Sequence, residues 1–263
     1  SYKERELVNN LIGTVASGGQ FAYNIGPKGD GTIEAFDAGV VTEVGQWMAR
    51  HPDAITGARP TWYPAPAWGK VMTKGNDLYF FPELWSPGKT LTLPSVGGHV
   101  TAVTVDGTDR SLEFTQDGTT LTVTMSGENP EPNLRPVVKV TFDAAPTYVP
   151  TQTVTAVDGA TISSEQFFGR ASALRYSGAQ AYDAYLVNKT DKAITDLTLK
   201  FSGNFDASTT YKITLGATSI EVTGAQIEAG EVGEGLRLEP GKVTPLRLEL
   251  AHPSYYANPI GLR

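Results

Sequence analysis

The sequence predicts a mainly β protein that opens with a helix, a strand and a second helix and continues into two β-sandwich domains. Among its 263 residues are 28 Gly and 17 Pro, and only 19% are charged, a composition typical of short strands joined by many turns. Apolar residues recur every three or four positions near the start, which indicates helices. Over much of the remainder they alternate with polar residues, which indicates strands.

The first helix is predicted between Glu4 and Ser17, where the apolar residues lie on one face. These are Leu7, Val8, Leu11, Ile12 and Val15. Gly18 and Gly19 end this helix. The short, mostly apolar run from Gln20 to Ile25 follows and predicts a strand buried on both faces.

The loop from Gly26 to Gly31 leads into a second helix that ends near Arg50. Thr32 is expected to be its N-cap, with Glu34 in the first turn. Its apolar stripe consists of Phe36, Val40, Val41, Val44, Trp47 and Met48. A buried strand between two helices is the repeating unit of an α/β barrel or a doubly wound sheet, and it does not form a domain alone.

Beyond Thr56 the sequence predicts a β-sandwich over residues 57–145. Its expected strands are 77–81, 90–93, 100–105, 112–114, 121–125 and 137–142. Residues 146–150 carry two prolines and no periodic pattern, and are interpreted as a linker. A second β-sandwich of unknown role is predicted over 151–263. Its expected strands are 154–157, 181–187, 194–201, 211–215, 219–222 and 244–250.

Composition argues against several classes of function. A net charge of -7 and a pI near 5.0 disfavour nucleic acid and anionic membranes as partners. There is no Cys, and His51, His99 and His252 lack ligand-like spacing, so neither a metal nor another cofactor is expected. The glycine-rich loop lacks the order of a phosphate-binding loop, and its Asp30 would repel phosphate.

A family resemblance is carried by Leu7–Gln20 and Asn24–Ile33, and continues into Val44–Met48 and Asp53–Gly57. These stretches resemble the end of the catalytic barrel in bacterial α-L-fucosidases of glycoside hydrolase family 29. Residues 1–56 are therefore expected to be the terminal helix-strand-helix of a (β/α)8-like barrel. Gln20 stands where the family usually has asparagine, and Phe21-Ala22-Tyr23 replaces a leucine run, changes that conserve burial.

The next domain resembles the branch of this family that prefers α-1,3- and α-1,4-linked fucose. The resemblance rests on the motifs at 64–69, 73–79 and 85–89. It implies a retaining exo-hydrolase with a carboxylate nucleophile and a carboxylic acid/base, acting on fucosylated glycans. In the family these groups and the fucose-binding histidines lie on earlier strands, so no catalytic residue is expected in this chain.

The resemblance also implies a partner. The N-terminal part of the barrel is expected as a missing segment or second chain, and the location is expected to be extracellular or at the cell surface. The alternative function is a non-catalytic carbohydrate-binding β-sandwich tandem. That alternative does not account for a helix-strand-helix opening.

Candidate contact residues follow from barrel geometry, because barrel active sites lie at the C-terminal ends of the strands. Tyr23 and Asn24 are expected near the substrate, with the alternative that the amide of Asn24 caps the following loop. Lys28 and Asp30 are expected to be a solvated pair in that loop.

Aromatic residues are the other candidates, since their faces suit pyranose CH groups as they suit apolar packing partners. Trp62, Trp68 and Trp85 are therefore expected either to stack on sugar or to pack in the core. Trp85 in particular is expected to pack against helix residues such as Trp47. The later tyrosines present the same choice, namely Tyr176, Tyr182, Tyr185, Tyr211, Tyr255 and Tyr256. Asn188-Lys189-Thr190 matches a glycosylation acceptor, a weak pattern.

Overall fold

The structure of the chain, a computed structural model, describes residues 2–162, 168–171, 179–252 and 261–262. The chain divides into two units, Ser1–Val149 and Pro150–Arg263. Strands outnumber helices in the described part, which confirms the mainly β prediction. Within those residues, no helix is both long enough and apolar enough to cross a membrane.

The helices of the first unit are α1 (Tyr2–Ala16), α2 (Ala35–Arg50) and α3 (Pro52–Ile55). Its strands are β1 (Arg59–Pro60), β2 (Gly69–Lys74), β3 (Asp77–Pro82), β4 (Thr90–Leu93), β5 (Val96–Gly97), β6 (Val100–Val105), β7 (Phe114–Asp117), β8 (Thr120–Thr124), β9 (Val138–Phe142) and β10 (Thr147–Tyr148). A five-stranded sheet has the order β1-β2-β3-β9-β6, a three-stranded sheet has the order β4-β8-β7, and β5 pairs with β10.

The two larger sheets share one apolar core, here called the sheet core. Leu78 and Phe80 of β3 meet side chains of the three-stranded sheet such as Leu91 and Leu121, and all four are fully buried. Because successive side chains of a strand point to opposite faces, Tyr79 and Phe81 point away from this core.

The opposite face of β3 is covered by the helices, in what is here called the helix core. Tyr79 and Phe81 are buried there against Val8 of α1 and Val40 and Trp47 of α2. The five-stranded sheet is therefore buried on both faces at β3, and α1 and α2 lie on its outer side. Residues 1–56 and the sheets consequently share a core, although the sequence predicts a domain boundary after Thr56.

Arg135 joins the helices to the edge of this packing. Its buried guanidinium donates to the carbonyl oxygens of Phe81 at 2.6 Å and Pro82 at 3.0 Å, and to the side-chain oxygen of Asn9 on α1 at 2.8 Å. The indole of Trp47 donates to the carbonyl oxygen of Arg135 at 2.8 Å. Burial lowers the pKa of Arg135 from its ordinary value. One residue thus connects both long helices to the end of β3.

The predicted strand from Gln20 to Ile25 is wrong. Residues 20–26, all described, form irregular chain, and Tyr23 is 44% exposed. A buried parallel strand needs hydrogen-bonded neighbours on both edges, and no described strand lies beside this segment. The apolar sequence is there, but the partners that would make it a strand are not in the described residues.

The start of α2 also differs from the prediction. Glu34 occupies the N-cap position without a side-chain cap bond, whereas Thr32 donates through its amide and hydroxyl to Asp30. Val40, Val44 and Trp47 of the predicted stripe are buried, but Phe36 is 58% and Val41 38% exposed. The sheet therefore covers only part of the apolar surface of α2 and leaves Phe36 and Val41 exposed.

The predicted linker at 146–150 is largely structured. Thr147 and Tyr148 form β10 and pair with β5, and the hydroxyl of Tyr63 donates to the carbonyl oxygen of Thr147 at 2.9 Å. The amide of Val149 donates to the carbonyl oxygen of Ser95 at 2.8 Å. The first unit therefore extends to Val149, because proline at the ends of a short segment does not stop its middle residues from pairing.

The elements of the second unit are β11 (Val154–Thr155), β12 (Phe168–Ala171), β13 (Ala179–Val187), β14 (Gly203–Asn204), β15 (Thr210–Leu215), β16 (Thr218–Thr223), α4 (Gly224–Ala229), β17 (Val243–Leu250) and β18 (Gly261–Leu262). One sheet has the order β11-β13-β17-β15-β16, with β12 also pairing with β13, while β14 pairs with β18. Alternate residues of β15 and β17 such as Ile213, Leu215, Leu246 and Leu248 are buried in its core.

The predicted strand at 194–201 does not form. Ile194 and Leu199 make only isolated bridges to Leu238 and Val232, and the residues between them lie outside strands. Alternating apolar residues there are partly buried against the core without a continuous ladder. The remaining predicted strands of this half correspond to strands β11, β13, β15, β16 and β17.

We expect Arg135→Met to lower the free energy of unfolding by about 3–5 kcal/mol, because it leaves the carbonyl oxygens of Phe81 and Pro82 without their donor, at about 1–3 kcal/mol each, and removes the link to α1. Urea denaturation followed by circular dichroism measures this. Arg59→Met is the matched control, since Arg59 is exposed on β1. Equal losses of unfolding free energy in the two variants would show that the hydrogen bonds of Arg135 contribute nothing specific to stability.

Candidate functional site

The segment that carries Tyr23 and Asn24 is fixed at both of its ends. Gly18, with φ +83, ends α1 by donating to the carbonyl oxygen of Val15 at 2.9 Å. On the other side, Pro27 and Ile33 form an antiparallel bridge that closes a short loop. Tyr23 and Asn24 therefore lie on an exposed span between two anchored points.

The loop that follows is held by its own hydrogen bonds. The carboxylate of Asp30 accepts from the hydroxyl of Thr32 at 2.7 Å and from its amide at 2.9 Å, and these bonds lower the pKa of Asp30. Lys28 forms an ion pair with Glu34 at 3.4 Å rather than with Asp30 as expected. The capping group is Asp30, so the alternative role of Asn24 as the loop cap is wrong.

Tyr23 and Asn24 make no side-chain hydrogen bond to any other residue that the structure describes. Both are exposed. A phenol with an open ring face and an amide with free donors and acceptors can bind a sugar hydroxyl or a pyranose CH face. The structure thus leaves both candidate residues available.

Two of the three candidate tryptophans are packed. Trp68 donates to the carbonyl oxygen of Thr92 at 2.9 Å, and its ring lies 4.9 Å from that of Phe80. Trp85 donates to the carbonyl oxygen of Gly127 at 3.0 Å and packs against the sheet core. The expected contact of Trp85 with Trp47 is wrong, because Trp47 belongs to the helix core on the other side of the sheet. Trp62 remains 45% exposed.

A buried charged cluster, which the sequence did not predict, lies at the junction of α2 and α3. His51 is 2% exposed; its Nδ1 lies 2.7 Å from a carboxylate oxygen of Asp106 and its Nε2 lies 3.3 Å from one of Glu131. Arg50 donates two bonds to Glu131, at 2.8 and 2.9 Å. No sequence pattern could reveal this cluster, because its members lie 55 and 80 residues apart.

The His51 cluster is built for stability rather than for catalysis. Both ring nitrogens of His51 face carboxylates, an arrangement that only the doubly protonated imidazolium satisfies with two donors. A catalytic histidine needs one nitrogen directed at a reacting group. The carboxylates of Asp106 and Glu131 are likewise occupied, so this cluster supplies neither nucleophile nor acid/base.

The pKa values of the cluster move in opposite directions. Burial lowers the pKa of His51, but its hydrogen bonds to Asp106 and Glu131 outweigh burial, and the net pKa lies above the ordinary value. Burial raises the pKa of Glu131, but hydrogen bonds from His51 and Arg50 outweigh it, and the net pKa lies below the ordinary value. Both partners are therefore charged between about pH 4.5 and 6.5.

Three of the six second-unit tyrosines that the sequence singles out lie among the described residues, and these three are buried or partly buried. Tyr211 is buried and its hydroxyl accepts from the amide of Asp206 at 3.0 Å, while burial raises its pKa. Tyr182 and Tyr185 are partly buried on β13. Tyr176, Tyr255 and Tyr256 lie outside the described residues.

The possible glycosylation acceptor is structural. Asn188 is fully buried, its amide nitrogen donates to the carbonyl oxygen of Lys192 at 2.7 Å, and its oxygen accepts from Thr190. In the described part of the chain, no group of three His, Asp or Glu side chains is placed to hold a metal ion.

The stability of the first unit should depend on pH through His51. Since its folded pKa is raised, its contribution is complete below about pH 6.5 and is lost as pH rises through the folded pKa. We expect the free energy of unfolding to fall above pH 6.5 by up to about 1.4 kcal/mol per pH unit. Since the pKa of Glu131 is lowered, its contribution is lost below about pH 4.5.

The measurement is urea denaturation across pH 4 to 9. His51→Gln should be less stable throughout and should lose the decline above pH 6.5, whereas His99→Gln, a change at an exposed histidine, should keep it. A decline that survives in His51→Gln would mean that another group causes it.

Comparison with known proteins gives this geometry a family context. The α-L-fucosidase family model matches residues 1–53. The chain is 30% identical over 137 residues to the α-L-fucosidase of Dictyostelium discoideum, a match that covers 46% of this chain and 29% of that protein. It is 30% identical over 122 residues to human tissue α-L-fucosidase, covering 44% of this chain and 26% of that one.

The solved structure of α-L-fucosidase from Vibrio sp. strain EJY3 is similar in fold over 99% of this chain and 50% of that one, with a TM-score of 0.53 and 17% identity. The chain spans between a quarter and a third of the length of the two curated relatives. Both relatives are α-L-fucosidases and hence glycoside hydrolases. The family match and these relatives agree that this chain is similar to the α-L-fucosidases.

Proposed function

We propose that this chain is part of a retaining exo-α-L-fucosidase that releases terminal α-1,3- or α-1,4-linked L-fucose from glycans. The observation that carries the proposal is the match of residues 1–53 to the α-L-fucosidase family, supported by the names of the curated relatives. The linkage preference rests on the motifs at 64–69, 73–79 and 85–89 alone.

The exposed apolar face of the opening segment supports a partner for it. Ile33 is 51%, Phe36 58%, Val41 38% and Tyr23 44% exposed. Leaving such side chains in water forgoes about 25 cal/mol for each Å² that could be buried. In the proposal this face packs against the remainder of the catalytic barrel, supplied by the same protein or by a second chain.

The same partner accounts for the irregular segment 20–26. In a barrel, each strand bonds to a strand on either side, and residues 20–25 become a strand when both neighbours are present. Their C-terminal end would then face the active site, which places Tyr23 and Asn24 beside the sugar. Within this chain both side chains are already free of competing hydrogen bonds among the described residues.

In this proposal the chemistry belongs to the part of the α-L-fucosidases that this chain does not span. A retaining glycosidase uses one carboxylate as nucleophile and a second carboxyl group as acid and then base. The buried carboxylates of the His51 cluster cannot serve, since they are bound to His51 and Arg50. The role left to this chain is to complete the wall of the pocket and to orient the sugar through Tyr23 and Asn24.

We expect the purified chain alone to release no 4-nitrophenol from 4-nitrophenyl α-L-fucoside, because the proposed nucleophile and acid/base lie outside it. Absorbance at 405 nm measures release, with a related intact α-L-fucosidase as the positive control. The proposal would be contradicted if the chain alone turned over this substrate and lost that activity on substitution of one of its own carboxylates.

Docking of the remaining barrel is tested at Phe36. We expect Phe36→Asp to prevent binding of an N-terminal barrel portion from an α-L-fucosidase relative, since it places a charge in the proposed apolar contact. Leu84→Asp is the matched control, because Leu84 is 74% exposed but lies on the chain leaving β3. Co-purification and protection of residues 21–24 from hydrogen exchange measure the contact. Equal binding by both variants would contradict this docking face.

A further inference from the structure

The second unit contains a cavity of about 500 Å³ between residues 154–162 and residues 190–199. Leu186 of β13 also lines it. Cavities of about 300–1,000 Å³ are the size that holds small-molecule ligands. Nothing in the proposed catalytic role uses this cavity.

Its walls are aliphatic. The main apolar lining residues are Val154, Ile162, Leu186, Ile194, Leu197 and Leu199. Most of them pack against the core of the second unit yet stay partly exposed, because their other side faces the cavity. The described lining includes neither an aromatic side chain nor Lys, Arg or His. Among these described residues a flat sugar face finds no ring to stack on, whereas a methyl group finds apolar side chains to contact.

Two carboxylates stand at this cavity with their hydrogen-bonding capacity unused. Asp158 and Asp196 are exposed and make no side-chain hydrogen bond or ion pair with any described residue. By contrast, Asp206 elsewhere in this unit accepts four bonds from Ser208 and Thr209. Asp158 and Asp196 are thus not the self-capping aspartates that turns of this chain otherwise use.

We propose that this cavity is a non-catalytic site for the terminal 6-deoxyhexose of a neutral glycan, with fucose as the sugar. Vicinal hydroxyls donate charge-assisted hydrogen bonds to Asp158 and Asp196. The methyl group at C6 lies against the aliphatic wall. These two carboxylates repel sialic acids and phosphates, and the described lining offers an anion no Lys, Arg or His to pair with.

The identity of the sugar rests on the proposed function, whereas the choice of a neutral polyol with an apolar edge rests on the cavity alone. A hexose that keeps its hydroxyl on C6 would press that hydroxyl against the aliphatic wall in place of the methyl group, at a cost that disfavours it. A second binding site of this kind raises the effective concentration of a multivalent glycan at the active site of the proposed enzyme.

Isothermal titration of the full 263-residue chain tests the site. The probes are methyl α-L-fucoside and methyl α-L-galactoside, which differ only in the hydroxyl at C6. We expect the galactoside to bind at least tenfold more weakly, and Asp158→Asn and Asp196→Asn each to weaken fucoside binding about tenfold, the worth of one charge-assisted bond. Glu221→Gln, an equal loss of charge on the exposed face of β16, should bind as the parent chain does.

Circular dichroism confirms that each variant is folded before titration. Equal affinity for both sugars, no fucoside binding, or unchanged binding in both aspartate variants would each overturn the proposed site. Failure of the catalytic proposal is separately visible, because hydrolysis by the completed enzyme and binding by this chain are different measurements. Fucoside binding that is lost in the two variants supports the site even where no fucosidase activity is found.

Discussion

The first unit depends on burial of β3 on both faces. Leu78 and Phe80 fill the sheet core, while Tyr79 and Phe81 fill the helix core, so four successive residues serve two separate cores. A full set of large apolar side chains on one strand is tolerated only where both faces are covered. The helices α1 and α2 are therefore needed by the sheets as much as the sheets are needed by the helices.

Polar groups at the margin of the helix core fix how the layers meet. Arg135 donates to two carbonyl oxygens and to Asn9, and His51 is held between Asp106 and Glu131. Apolar burial supplies most of the free energy but is non-directional, whereas hydrogen bonds specify one geometry. Removing one member leaves its partners buried and unpaired, so these contacts matter more for the cost of losing them than for their net stabilisation.

Local pattern predicts much of the fold, and it fails where partners distant in sequence decide the structure. Helices α1 and α2 and strands β4, β6 and β9 follow from periodicity because each has its partners within the chain. Residues 20–25 carry the same kind of signal, but a strand is completed by its neighbours and not by its own sequence. The His51 cluster and the cavity beside Asp158 and Asp196 arise from residues far apart in sequence, which no spacing rule detects.

The contrast between the loop at 27–33 and the segment before it bears on function. The loop is closed by Asp30, Thr32 and an ion pair, so its shape needs nothing beyond its own residues. Tyr23 and Asn24, a few positions earlier, have no such local support in the described chain. Because the loop at 27–33 holds its own shape, it fixes the position at which the segment 20–26 ends. In the proposed barrel, the neighbouring strands would have to fix only the residues between Gly18 and Pro27, which confines the cost in conformational entropy to that span.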